Sequence, residues 1–154
     1  MGAILKIDQD YAIGGQPNHK QLHELALQGY GSVVNLRQEG EDEHPFTPKE
    51  EGVEVLSFDM EYAHLPFSYR ELTLEKVQEY CQKIGHLPKP VYVHCQAGRR
   101  AGVMLAIYYA HKHGRTYEEM VPLLGKFGLE NEGADLRTFI KEKIDGHRLR
   151  NGEK

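Results

Sequence analysis

Between a short apolar run, Val91-Tyr92-Val93, and a long one from Val103 to Ala110, the chain places His94, Cys95, Gln96, Ala97, Gly98, Arg99, Arg100, Ala101 and Gly102. This order predicts a strand that ends at a cysteine and a helix that starts within a few residues. A helix's first turn leaves its backbone N–H groups without intrahelical partners, and the aligned peptide dipoles put partial positive charge there. Such a turn suits an anion. Thiols placed in that kind of field favour the nucleophilic thiolate. As chemistry, the stretch reads as an anion cup with Cys95 at its base.

The remaining elements must carry this cup at the right place. Residues 4–7 and 11–13 predict a hairpin around the polar turn Asp8-Gln9-Asp10, broken by Gly14-Gly15-Gln16-Pro17. Asn18 is the expected N-cap of a helix with Leu22, Leu25 and Ala26 on one face, closing near Gly29 or Gly31. Ser32 to Leu36 predicts a buried strand whose end delivers Asn35 and Arg37 to a loop. That loop, GEDEHPFTPKEEG, is acidic and reads as solvated surface, with one helical turn started by Thr47 and Pro48. Val53 to Phe58 predicts the next strand, and 59–72 a polar connection. From the cap Thr73, the residues Leu74, Val77, Cys81 and Ile84 line one face of a helix, so Cys81 reads as core packing. Pro88 and Pro90 lead into the strand before Cys95. The helix after the cup is apolar nearly all round and so central, ending at Gly114. Thr116 with Glu119 makes a capping box for a helix to about Phe127. A last helix, 134–145, turns Leu136, Phe139, Ile140 and Ile144 inward, and the tail from about 147 is expected to fray. Residues 1–154 thus predict one α/β domain with a central, mainly parallel sheet flanked by helices. Cys95 stands at the carboxyl end of a strand, where open α/β sheets bind ligands.

Composition is consistent with this. The 154 residues are 40% hydrophobic and 27% charged, as in ordinary globular proteins. A net charge of -4 argues against a general nucleic-acid binder. Two cysteines, Cys81 and Cys95, make no disulfide framework and imply a reducing, cytoplasmic setting. The start, MGAILKIDQD, shows no signal-peptide pattern, and the central apolar helix is too short for a membrane span, so no membrane partner is expected. His19 and His23 have metal-pair spacing, but with no third ligand evident they read as a solvated helix face; His111 and His113 point to different faces. No metal or other cofactor is called for.

At the cup the chain resembles the cysteine-based phosphatase superfamily, whose signature is His-Cys, two residues, Gly, two residues, Arg, Ser or Thr, Gly. His94-Cys95, Gly98 and Arg100-Ala101-Gly102 match, with Arg99 alone between Gly98 and Arg100, so the loop is one residue short. This shortened form is similar to that of a bacterial branch of small dual-specificity-like phosphatases, including the phosphatase-like domain of beta-lactamase-hydrolase-like proteins. Gly15-Gln16-Pro17, Val34-Asn35-Leu36-Arg37 and His64-Leu65-Pro66 extend the likeness over roughly residues 4–115.

The resemblance implies a dual-specificity-phosphatase-like fold and a phosphomonoester hydrolase that needs no cofactor, acting on a phosphorylated protein or small phosphomonoester. Cys95 would form a phosphocysteine. Arg100 would bind phosphate bidentately, aided by backbone N–H groups of Gln96, Ala97, Gly98, Arg99 and Arg100, while His94 and Gly102 support the loop. Ala101 replaces the usual hydroxyl residue, which implies slow turnover. No Asp stands at the usual general-acid position; among Asp59, Glu61, His64 and Glu71, Glu61 is the first choice by spacing and Glu71 the second. Arg37 reads as an ion-pair partner of the acidic loop, with a substrate contact as the other option. Arg99 beside the cup favours acidic substrates, and a short domain implies a shallow site. Two other functions fit the same loop: a rhodanese-like sulfurtransferase with a persulfide on Cys95, and a phosphate-binding module that no longer turns over.

Overall fold

The computed structural model describes residues 3–150, with side chains described through 146. A five-stranded sheet runs in the order β1-β2-β5-β3-β4, where β1 is Leu5–Lys6, β2 Tyr11–Gly14, β3 Ser32–Asn35, β4 Glu61–His64 and β5 Val91–His94. Only β1 with β2 is antiparallel; β2, β5, β3 and β4 are parallel. The central strand β5 is buried along its whole length, as a strand covered on both faces must be. Ala12, Val33 and Tyr92 point to one face, where they meet Leu22 and Leu25 of α1 (His19–Leu27) and Val55 of α2 (Pro48–Ser57). Ile13, Val34, Val91 and Val93 point to the other. There they pack with α3 (Leu74–His86), α4 (Arg99–His113), α5 (Tyr117–Met120) and α6 (Ala134–Arg150). This is the mainly parallel α/β sandwich expected from the sequence.

Most helix starts fall where the caps predict. The Asn18 side chain accepts from Gln21 N–H and the Gln21 side chain accepts from Asn18 N–H; Thr47 with Glu50 and Thr116 with Glu119 repeat the arrangement. Two expectations fail in the middle of the chain. Val53 to Phe58 is not a strand: the Thr47 box and Pro48 start a helix that continues to Ser57. Its alternating apolar residues do not mark a buried face, since Val53 and Leu56 are 65% and 62% exposed while Val55 and Glu51 are buried. The strand falls instead on Glu61–His64, inside the expected connection, and as the sheet edge it tolerates polar residues.

Beyond α5, the segment Val121–Phe127 tightens into a 3₁₀ helix around Pro122, so the expected helix to Phe127 changes type at Val121. The last helix runs past residue 145 to Arg150, and of the tail expected to fray, residues 151–154 lie outside those described. No helix among the described residues is long and apolar enough to cross a membrane.

Candidate active site

Strands β2, β5 and β3 end level with one another: Gly14, His94 and Asn35 are register partners. The cup therefore sits at the carboxyl edge of the sheet, with Cys95 as the first residue beyond β5. Gly98 caps α4 with φ 105°, a conformation open to glycine, and no side chain caps the helix start. Its N–H donates to Cys95 Sγ at 3.1 Å. Cys95 is buried, whereas Gln96 and Ala97 are exposed, so the cup opens to solvent above its sulfur. Gly102 is required by close approach: a Cβ there would stand 2.3 Å from the Phe127 carbonyl oxygen, against which α4 is pressed.

The Gly-Gln-Pro piece supports the cup from below. Gln16 N–H donates to Gln96 O at 3.1 Å, and the Tyr92 hydroxyl donates to Gly15 O at 2.6 Å. Behind the loop lies a buried polar relay. His94 Nε2 meets Glu51 Oε2 at 2.6 Å, Gln16 Nε2 donates to Glu51 Oε1 at 2.6 Å, and Arg37 donates through a terminal nitrogen to Gln16 Oε1 at 2.5 Å. His94 Nδ1 also lies 3.2 Å from Cys95 O, so this chain of contacts reaches the backbone of Cys95. Glu51 is fully buried. Nothing in the sequence singled it out, because it sits in the segment read as acidic surface. Its only sequence signal is position: four residues after Thr47, it lies on the inner face of a helix that starts there.

Arg37 answers the acidic loop, as expected. Its backbone N–H is held by Asn35 Oδ1 at 2.9 Å, and its Nε, which makes no hydrogen bond, is 3.8 Å from Glu41 Oε1. That loop is not simply solvated, however. Glu41 turns inward and takes both terminal nitrogens of Arg100, at 2.7 and 2.8 Å. The Arg100 contact, opposed by burial and helped by Gln38 N–H, holds the Glu41 carboxyl below its ordinary value. Arg100 also reaches the Phe67 carbonyl at 3.4 Å.

The structure separates the acid candidates. Glu61 begins β4 and pairs in register with Ser32, which pairs with Val91 at the start of β5. Three residues of strand, about 10 Å, divide it from the edge that carries Cys95. Glu61 is therefore displaced as first choice, and Asp59, which precedes it, with it. Spacing misled because β4 starts later than expected. Glu71 lies in the exposed turn that follows Phe67, whose carbonyl Arg100 reaches, and its own N–H is bonded to Ser68 O. His64 ends β4, its Nε2 2.6 Å from Arg37 O.

Arg99 does not point its charge at the cup alone: it is paired with Glu132. Beside the pair lies an open cleft of about 620 Å³ lined by Tyr69, Leu136 and Phe139. His19 pairs with Glu54 at 2.5 Å, and His23 stacks on Phe58 with ring centroids 4.9 Å apart. Among the described residues no group of three His, Cys, Asp or Glu side chains could hold a metal ion. Cys81 packs under α4 with its thiol pushed by burial up to about 12.

The family model described as a DSP-PTPase phosphatase fused to NAD+ kinase matches residues 5–144. A beta-lactamase hydrolase-like protein of Xylella fastidiosa (strain Temecula1) is 30% identical over 122 residues, covering 79% of this chain and 28% of the relative. The chain thus spans little more than a quarter of that protein's length. A DUF442 protein of Shewanella putrefaciens CN-32 superposes with a TM-score of 0.74 at 21% identity, over 96% of this chain and 90% of the other. A TpbA variant of P. aeruginosa, solved in complex with phosphotyrosine, superposes with a TM-score of 0.72 at 17% identity, over 98% and 91%. Both likenesses are of fold.

Proposed function

Since the chain belongs to the family of dual-specificity-like protein tyrosine phosphatases whose model is described as fused to NAD+ kinase, we propose that it hydrolyses phosphomonoesters through a phosphocysteine on Cys95. The observation that carries this reading is the Gly98 N–H on Cys95 Sγ at the uncapped start of α4. A donor directed at the sulfur serves it both as nucleophile and as leaving group. Phosphate oxygens arriving above Cys95 meet the N–H groups of the first helical turn, which are pre-oriented where charge develops.

Arg100 supplies the bidentate contact. Its two terminal nitrogens are engaged end-on by Glu41, and a guanidinium has a second edge, Nε with one terminal nitrogen, that can hold two phosphate oxygens side-on. Glu41 thus fixes the plane of the fork. In the first step Cys95 Sγ attacks phosphorus, the ester oxygen leaves and takes a proton, and phosphocysteine remains. In the second, water displaces Sγ and inorganic phosphate departs. Glu71, in the turn that follows Phe67, is the proposed proton donor to the leaving oxygen. Ala101 offers no hydroxyl to the departing sulfur, so the second step limits the rate. The phosphotyrosine complex of TpbA supports aryl phosphates as the first substrates to try.

The test compares aryl phosphate hydrolysis with thiosulfate-to-cyanide sulfur transfer in one preparation. Hydrolysis that is abolished in Cys95→Ser supports the reading. Sulfur transfer alone would make the protein rhodanese-like. Tight vanadate binding without steady-state hydrolysis, the outcome that Ala101 favours as second reading, would make it a phosphate-binding module.

A further inference from the structure

The cleft beside the cup carries an inference that rests on the phosphatase reading and goes beyond it. It begins at Arg99, the residue after Gly98, and extends to the first turns of α6, with a volume of about 620 Å³. That lies within the roughly 300–1,000 Å³ of small-molecule sites, and is far more than phosphate alone occupies. One wall is aromatic. Tyr69 and Phe139 meet edge to face at 5.1 Å, and the fully buried Phe67 backs Tyr69 from behind at 5.0 Å. Tyr69 also ties the wall to the cup: burial, and then the nearby Cys95, raise its phenol, with Arg99 and Arg100 opposing. Phe139 and Leu136, expected to turn into the core, are only partly buried and line the cleft.

The charges are arranged with equal effect. Arg99 is answered by Glu132, so it adds no net positive charge, and Asp135 in the first turn of α6 adds a negative one. This reverses the expectation that Arg99 selects acidic substrates. An apolar wall on one side and no excess cation on the other suit an uncharged ring system.

We propose that this cleft is the leaving-group subsite, and that Tyr69 with Phe139 of the last helix selects aryl phosphomonoesters whose uncharged apolar leaving group is larger than a single phenyl ring. A second fused ring buries on the order of 40 Å² of apolar surface, which at about 25 cal/mol per Å² corresponds to about fivefold tighter binding.

The experiment is calorimetry on the Cys95→Ser protein, which binds without turnover, using inorganic phosphate, phenyl phosphate, 2-naphthyl phosphate and O-phosphotyrosine. Phenol and 2-naphthol are acids of similar strength, so the esters differ mainly in ring size. Expected is a preference of about fivefold for naphthyl over phenyl, lost in Phe139→Ala and in Tyr69→Ala, with inorganic phosphate bound equally by all three proteins. Melting curves identify a variant that fails to fold, and the other then decides. Equal binding of the phenyl and naphthyl esters would overturn the proposal, as would a preference kept in a folded variant. O-phosphotyrosine binding more tightly than the naphthyl ester would also overturn it, assigning the cleft to charged main-chain groups. Failure of inorganic phosphate and of every ester to bind would instead sink the phosphatase reading on which the subsite depends.

Discussion

Glu51→Gln removes one charge and changes one atom, in a place where the structure fixes both oxygens. Glu51 Oε2 faces His94 Nε2 and Oε1 faces Gln16 Nε2, each at 2.6 Å, and the residue is fully buried. A glutamine offers one acceptor where two are needed. If its oxygen meets His94, its NH₂ faces the Gln16 NH₂. A compensating flip of Gln16 would take Oε1 away from Arg37, which donates to it at 2.5 Å. As long as His94 Nε2 donates, one buried donor is left unpaired, at a cost of about 1–3 kcal/mol; in the other His94 tautomer Nε2 accepts from the new NH₂ and Nδ1–H donates to Cys95 O, and what is lost is the hydrogen bond to a carboxylate, of similar worth. For a domain of this size each kcal/mol lowers Tm by about 2–4 °C, so a fall of roughly 2–12 °C is expected. With a total stability of about 5–15 kcal/mol the variant still folds. Its activity should fall further than its stability, because His94 Nδ1 lies against Cys95 O and a shifted loop misplaces the Cys95 sulfur. A loss of about tenfold or more in kcat/KM with an aryl phosphate is expected. The assay pairs differential scanning calorimetry with steady-state kinetics, using Glu54→Gln, on the exposed pair with His19, as control. Surface changes of that kind stay within about 0.5 kcal/mol. If Glu51→Gln melts and turns over like Glu54→Gln, the relay does not support the cup.

Ala101→Ser should raise kcat by about tenfold, one hydrogen bond to the departing sulfur being worth about 1.4 kcal/mol; a pre-steady-state burst that shrinks in the variant would show that the second step has quickened. Glu71→Gln should slow esters of weakly acidic alcohols far more than activated aryl esters, while Glu61→Gln, at the far end of β4, should change neither; the leaving-group dependence of kcat/KM decides. Glu41 titrates below its ordinary value of 4.5 because Arg100 holds it. Its contribution to stability is therefore complete above that value and lost as pH falls through the lower, folded one. Melting temperatures of wild type and Glu41→Gln should differ at about pH 6 and converge toward about pH 3. Cys81, its thiol raised to about 12 by burial, should resist alkylation at about pH 8 in the folded protein and react once it is unfolded.

The features legible in sequence are those where local physics and tertiary demand agree. The caps Asn18, Thr47, Thr73 and Thr116 start helices because their side-chain oxygens accept from the backbone three residues on, a requirement met within the segment itself. The cup was legible for the same reason: Gly98, the helix behind it and Cys95 before it are neighbours in the chain. Two other parts were hidden. Val53 to Phe58 alternates like a strand, but its helix was decided upstream at Thr47, and the apolar Val53 and Leu56 are left exposed. Misplacing that strand also misplaced Glu61, because distance along the chain says nothing about which end of β4 faces Cys95. The contacts of Glu51 with His94 and of Glu41 with Arg100 span 43 and 59 residues. No period or spacing reports such pairs, and both glutamates stand among acidic neighbours that read as surface.

The central claim is that the Cys95 sulfur carries the phosphoryl group during turnover. Acid-quenching the wild-type protein within one turnover of an aryl phosphate, followed by peptide mass spectrometry, measures this directly. The account predicts the added mass of one phosphoryl group on the peptide containing Cys95, accumulating because Ala101 leaves the second step slow, and none in Cys95→Ser. Phosphate released at an undiminished rate with Cys95 never modified, or a phosphoryl group found on another residue, would contradict it.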